Sequence, residues 1–198
     1  MSTQGQNRLV LGSGSPRRSQ LLRQLRIEFE QMVSSRPEPP TTDEDPRVQA
    51  VRCAHVKAQA VREQLPPSSP PTIVIGADTM VVVDDRILGK PADTADAEAM
   101  LRLLSGRSHT VCTGICMLGP HARDERTDCV VTEVWMKPLS DSDIETYVAS
   151  GEPMDKAGSY AIQGLGARFV ERISGCYYNV VGLPLARLTD MLSEAGYS

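Results

Sequence analysis

Apolar positions along this chain come in short bursts separated by polar or glycine-rich punctuation. Leu9, Val10 and Leu11 form the first burst and stop at "GSGS", residues 12–15. That pattern predicts a short buried strand entering a tight turn. Leu21, Leu22 and Leu25 then recur at helical spacing. Ser15 suits the N-cap and Pro16 the first helical turn, where its missing N–H costs nothing. "IEFEQMV" alternates as a second strand. "RVQAVRCAHVKAQAVREQL" reads as a helix with Val48, Val51, Ala54, Ala58 and Val61 on its inner face. The runs at 72–75 and 80–83 predict two buried strands, and Asp84-Asp85 turns into Ile87-Leu88. Residues 94–105 form an amphipathic helix, with Met100, Leu101 and Leu104 inside and Gly106 at its stop. Further strands are predicted at 109–118, 128–136 and 169–173. A helix opens on the capping-box pair Ser140 and Asp143 and stops at Gly151. A last helix carries Leu185, Leu188, Met191 and Leu192. Strands and helices mix without strict alternation, which predicts an α/β fold with a mixed, partly antiparallel sheet and flanking helices.

The 198 residues suffice for one large domain or two small lobes. A net charge of −4 argues against general attraction to nucleic acid or to an anionic membrane. No apolar run approaches the roughly 20 residues of a membrane span, and the N-terminus shows no apolar signal segment, so a cytoplasmic protein is expected. Five scattered cysteines, an odd number, fit reduced thiols in that compartment. His109, Cys112, Cys116 and His121 can be written as a metal pattern. However, "HTVCTGICML" reads as a strand, on which cysteines four apart lie roughly 13 Å from each other. Small buried thiols are the expectation there.

Against this acidic background three features point to a local anion site. The first is the turn "GSGSPRR", which feeds a helix N-terminus and adds Arg17 and Arg18 to its exposed backbone N–H groups. The second is Asp78, a carboxylate wedged between two apolar runs, where it either caps a turn or works as a general base or metal ligand. The third is Lys57, Lys90 and Lys156, each in a stretch rich in small residues. Singly these are solvated lysines; with the arginine pair they make a cationic lining for a polyphosphate. The turn is neither a Walker loop nor a G-x-G-x-x-G turn. Taken together the residues suggest a site for a phosphorylated small molecule, with a carboxylate to activate water.

"GSGSPRRSQLL", "HVKAQA", "IGADTMVVVDDRILGKP", "LSGRSHTVCTGI" and "DKAGSYAIQGLGARFVERISGCYYNVVGLPL" together resemble the Maf family of nucleotide pyrophosphatases. The resemblance covers nearly the whole chain, with the motifs in the family's order, and implies a single Maf-type domain over 8–195. It implies the fold of the inosine-triphosphate pyrophosphatases, with two lobes around a cleft, and often a homodimer. It also implies hydrolysis of a nucleoside triphosphate to monophosphate and pyrophosphate with a divalent cation, Mg²⁺ or Mn²⁺. Carried onto this sequence, Ser13, Arg18, Lys57 and Lys90 would bind the phosphates, and Asp78 would be the catalytic aspartate. Arg17, Thr79 and Gln163 match the specificity set of the dTTP/UTP branch, where the 7-methyl-GTP branch has Trp, Gln and Glu. Gln163 can offer both a donor and an acceptor to a uracil or thymine edge.

The chain departs from the family in the loop after the second strand. There the usual acidic pair becomes "SSRPEPP", keeping only Glu38. Glu38 would then join Asp78 as a metal ligand, with the acidic run at 43–45 or a merely solvated loop as the alternatives. The rival to an enzyme is a nucleotide-binding regulator with little turnover, because the Maf name came from effects on septum formation. Trp135, in a strand-like run, is expected in the core.

Overall fold

A computed structural model describes residues 8–33, 36–37, 39–40, 42, 44–121 and 123–197. In chain order the elements are β1 (Arg8–Leu11), α1 (Pro16–Gln24), β2 (Glu30–Gln31), α2 (Pro46–Gln64), β3 (Thr72–Val83) and β4 (Arg86–Leu88). They continue with α3 (Thr94–Leu104), β5 (Ser108–Leu118), β6 (Glu125–Met136), α4 (Asp141–Ala149), β7 (Val170–Ser174), α5 (Tyr177–Val181) and α6 (Leu185–Glu194). Short 3₁₀ turns at Glu152–Asp155, Ala157–Ser159 and Gly164–Phe169 separate α4 from β7. The strands hydrogen-bond in the order β2-β1-β3-β5-β6-β7, with β4 also on β3. β2 and β3 run parallel to β1, while β4 is antiparallel to β3 and β7 to β6. The expected mixed α/β sheet with flanking helices is therefore present. Among the described residues no helix is long and apolar enough to cross a membrane.

The chain divides into two compact units. The first comprises Met1–Asp78, Thr113–Val130 and Gly182–Ser198; the second comprises Thr79–Cys112 and Val131–Val181. In the first, α2 lies unusually close to the sheet because both surfaces are made of small residues. A Cβ on Gly76 would stand 2.1 Å from the Ala54 carbonyl oxygen, and one on Gly114 would stand 2.3 Å from the Ala50 carbonyl carbon. Ala50, Ala54, Ala58 and Val61 all fall within a narrow stripe of a 3.6-residue helix, and all are fully buried. Val48 lies on the opposite side of that stripe and is 55% exposed, which corrects its expected place on the inner face. Asp45 caps α2 by accepting the Arg47 N–H at 2.8 Å.

In the second unit, Val81, Leu101, Leu104, Val111, Val134 and Tyr147 belong to one buried cluster. α4 begins with the expected capping box between Ser140 and Asp143, and Gly151 follows it at φ 75°. Four other expectations need correcting. The runs at 72–75 and 80–83 are one twelve-residue strand, because Gly76 permits helix approach instead of making a turn. The second strand shrinks to Glu30–Gln31, the residues in register with β1, with one further bond from the Met32 N–H to the Leu11 carbonyl at 3.0 Å; Arg26 adopts φ 58° and turns the chain ahead of it. β7 starts at Val170 rather than 169, because Phe169 ends a 3₁₀ turn. Trp135 is half-buried, not core: the Arg172 guanidinium covers its ring at 3.6 Å from the centroid.

Candidate active site

The parallel pairing of β1 with β3 builds the first half of the candidate site. Leu11 sits opposite Ile75, and the Gly12 N–H donates to the Ile75 carbonyl at 2.7 Å. The turn that leaves β1 at its carboxyl end therefore lies beside the stretch of β3 that continues past Ile75. Ligands of α/β sheets commonly bind beyond such carboxyl ends.

Side chains alternate across a strand, so Asp78 faces the same side as Gly76, the side covered by α2. Lys57 lies at the edge of the alanine stripe on α2. The close helix approach brings its Nζ to 2.5 Å from Asp78 Oδ1. Both side chains are largely buried, at 16% and 14% exposure. The cost of a carboxylate inside a strand is thus met by a charged partner, not by a turn.

The turn itself is pinned at several points. The Ser13 hydroxyl accepts from the Ser15 N–H at 3.2 Å and from an Arg18 terminal nitrogen at 3.1 Å. Arg18 Nε donates to the Gly182 carbonyl at 2.8 Å, and Gln31 Nε2 donates to the Ser13 carbonyl at 2.7 Å. Arg18 and Ser13 are buried, and Arg17 is half-buried on the first turn of α1. Ser15 is the N-cap residue, but its side chain makes no capping bond. Sequence reasoning missed Gln31 and the Gly182 carbonyl. The available signal was that Gln31 stands where the alternation of "IEFEQMV" calls for an apolar residue.

The division between the units falls between Asp78 and Thr79, so Thr79, Lys90 and Gln163 belong to the second. Thr79 is half-buried on β3, and alternation turns it to the face opposite Asp78. Lys90 is exposed just past β4, where the Gly89 carbonyl accepts the Gly158 N–H at 3.0 Å. Lys156 is not an open cation: its Nζ donates to the Glu152 carbonyl at 2.6 Å and to Asp155 at 2.5 Å. Gln163 is half-buried, in extended conformation, at the start of the last 3₁₀ turn. The structure brings Ser13, Arg18, Lys57 and Asp78 into one unit with Arg17, and Thr79, Lys90 and Gln163 into the other.

Glu38 and Asp43 lie outside the described residues. Among those described, no group of three or more His, Cys, Asp or Glu side chains could hold a metal ion. Cys112 and Cys116 sit buried on β5, and burial pushes the Cys116 thiol up to about 12, away from the thiolate a metal needs.

The profile of the Maf-like proteins matches residues 8–195. The chain belongs to the Maf family. Three relatives, each named dTTP/UTP pyrophosphatase, align with it over nearly their whole length. Those from Symbiobacterium thermophilum and Koribacter versatilis are 49% and 48% identical, covering 96% and 95% of this chain and 94% of each relative. The one from Vibrio parahaemolyticus is 46% identical over 94% of this chain and 96% of its own. Among solved structures, a nucleoside-triphosphatase / dITP/XTP pyrophosphatase from Mycobacterium abscessus aligns at 12% identity and a TM-score of 0.44. The match spans 96% of this chain and 94% of that one, a likeness too slight to carry an argument.

Proposed function

We propose that this Maf protein hydrolyses dTTP and UTP to the nucleoside monophosphate and pyrophosphate. The observation that carries the reading is the Lys57–Asp78 pair beside the pinned turn at 12–18, in a chain nearly half identical to relatives named for that activity. Lys57 holds Oδ1 of Asp78, which leaves Oδ2 as the oxygen to take a proton from water. That water attacks the α-phosphorus. The new bond is O–Pα, the broken bond joins Pα to the bridging oxygen, and pyrophosphate leaves with the electron pair. Ser13, Arg18, Lys57 and Lys90 bind the phosphates, where Arg suits oxygen pairs and backbone N–H groups at the start of α1 suit negative charge.

A divalent cation, Mg²⁺ or Mn²⁺, fits this donor set. Mg²⁺ is commonly held by one or two carboxylates, with water and substrate phosphates completing its shell. Asp78 supplies one carboxylate and Glu38 is the candidate for a second. When bound, such a cation neutralises charge developing on the phosphate oxygens.

Arg17, Thr79 and Gln163 form the specificity set. A uracil or thymine edge presents two carbonyl acceptors flanking one N–H donor, which the Gln163 amide complements with its NH₂ and carbonyl oxygen. The reading places the protein in the cytoplasm with a nucleoside triphosphate as its partner, working as a homodimer. The test is purified protein with Mg²⁺ or Mn²⁺ against dTTP, UTP, CTP, ATP, GTP and 7-methyl-GTP, scoring pyrophosphate and orthophosphate separately. Pyrophosphate from dTTP and UTP above all others is expected. Nucleotide binding without turnover would replace this reading with the regulator.

A further inference from the structure

We propose that Glu152 is a positioning residue for base selectivity, clamping the turn that presents Gln163. The inference rests on the dTTP/UTP reading and adds to it a residue outside the specificity set.

Glu152 opens the 3₁₀ turn that follows Gly151, and its carboxylate reaches back into the segment after Gln163. Oε2 accepts the Leu165 N–H at 3.0 Å, and Oε1 accepts both the Gly166 N–H at 3.0 Å and the Tyr147 hydroxyl at 2.9 Å. Tyr147 is 1% exposed and stacks edge-on with Phe169 at 5.1 Å, so the clamp is rooted in the core of the second unit. Gly164 is required by this arrangement twice over. It adopts φ 70°, and a Cβ there would stand 2.6 Å from Glu152 Oε2. At the other end of the same short segment, the Tyr160 hydroxyl meets buried His109 Nε2 at 2.6 Å. Gln163 therefore sits midway along seven residues, 160–166, that are anchored at both ends.

The reason to anchor it is chemical. A glutamine amide that rotates by half a turn exchanges its donor and its acceptor. A loosely held Gln163 would accept a cytosine edge by flipping, and UTP and CTP would be read alike. Discrimination needs the amide held in one orientation, and neighbouring groups can hold it only where the backbone that carries it keeps one path. Burial alone would push the Glu152 carboxyl up, but the Leu165 and Gly166 amides and the Tyr147 hydroxyl outweigh it, so its pKa is lowered. The group is thus an acceptor only, as three donors require.

Glu152→Gln removes that match, since in either orientation its NH₂ faces a backbone N–H. Steady-state kinetics on wild type, Glu152→Gln, Tyr147→Phe and Gln163→Ala would be run with UTP and with CTP. Expected for Glu152→Gln is a rise of about tenfold in KM for UTP, with kcat within about threefold, and a loss of about tenfold or more in the UTP-over-CTP preference. Tyr147→Phe keeps both backbone bonds to Glu152 but gives up the Ala161 N–H that its hydroxyl accepts, so its loss of preference is expected to be clearly the smaller. The double variant Glu152→Gln/Gln163→Ala loses no more preference than Gln163→Ala alone, because both act on one element. Should Glu152→Gln fail to fold, Glu152→Asp, which draws the carboxylate back by one methylene, is read the same way. An unchanged UTP-to-CTP ratio in the folded variant overturns the proposal, as does an equal loss in Tyr147→Phe. Wild-type protein that turns over neither UTP nor dTTP refutes the function itself, and the positioning role with it.

Discussion

In the first unit the decisive contact is between two charged side chains, Lys57 and Asp78, brought together by a helix pressed against a strand. In the second the decisive contacts run to a carboxylate from backbone amides, those of Leu165 and Gly166 to Glu152, with the Lys156 ammonium nearby on the Glu152 carbonyl. Under the proposed function the difference follows from what each arrangement has to hold. A proton acceptor must present one oxygen at a fixed point, and a lysine on a rigid helix does this through a single strong bond. A base-reading loop must keep its whole backbone path, and several moderate bonds distributed along it do that better. Under the proposed function, damage to the first unit falls on kcat and damage to the second on KM and selectivity.

The same contrast extends to stability, where the largest expected loss is in the first unit. Gly76→Ala forces a methyl group into the Ala54 carbonyl, against backbone atoms that cannot rotate aside. Overpacking of this kind costs typically 1–3 kcal/mol, and with two backbones in conflict about 3 kcal/mol or more is expected from denaturant midpoints. Because α2 carries Lys57, activity falls with it even where the variant stays folded. An Ala variant as stable as wild type would show that the close approach of α2 is not what sets the pair.

In the second unit the sensitive element is His109, 3% exposed and hydrogen-bonded to Tyr160. Burial lowers its pKa from 6.5 to about 4. The folded protein thus keeps it neutral while the unfolded chain takes up a proton as pH falls through 6.5. Stability is full above that value and is lost progressively down to about pH 4. Linkage gives a loss of about 2 kcal/mol between about pH 7.5 and about pH 5. Lowered carboxyls such as Glu152 contribute mainly below this window. His109→Gln, which can still bond Tyr160, is expected to flatten that slope. An unchanged slope in the variant would remove His109 from the account.

The short apolar bursts located nearly every element of both units, because buried strands and amphipathic helices write their periods directly into sequence. What the periods concealed was the effect of small residues. Gly76 looks like a turn former in isolation, and only the alanines of α2, some twenty residues earlier, reveal that it makes room for a helix. The same cause moved Val48 to the surface. Asp78 was legible as an anomaly in an apolar stretch, but its partner was one lysine among several until the helix was seen against the strand. Glu152 was not legible at all. A solvated acid after a glycine looks the same in sequence as a carboxylate that clamps a loop, since the amides it accepts are backbone groups common to every residue.

Asp78→Asn tests the account most directly, with UTP binding and single-turnover hydrolysis measured on the same sample. The variant is nearly isosteric but has no carboxylate to take the proton. UTP affinity is expected to stay within about threefold of wild type while turnover falls by about a thousandfold. Turnover within about tenfold of wild type would show that Asp78 does not take the proton from water.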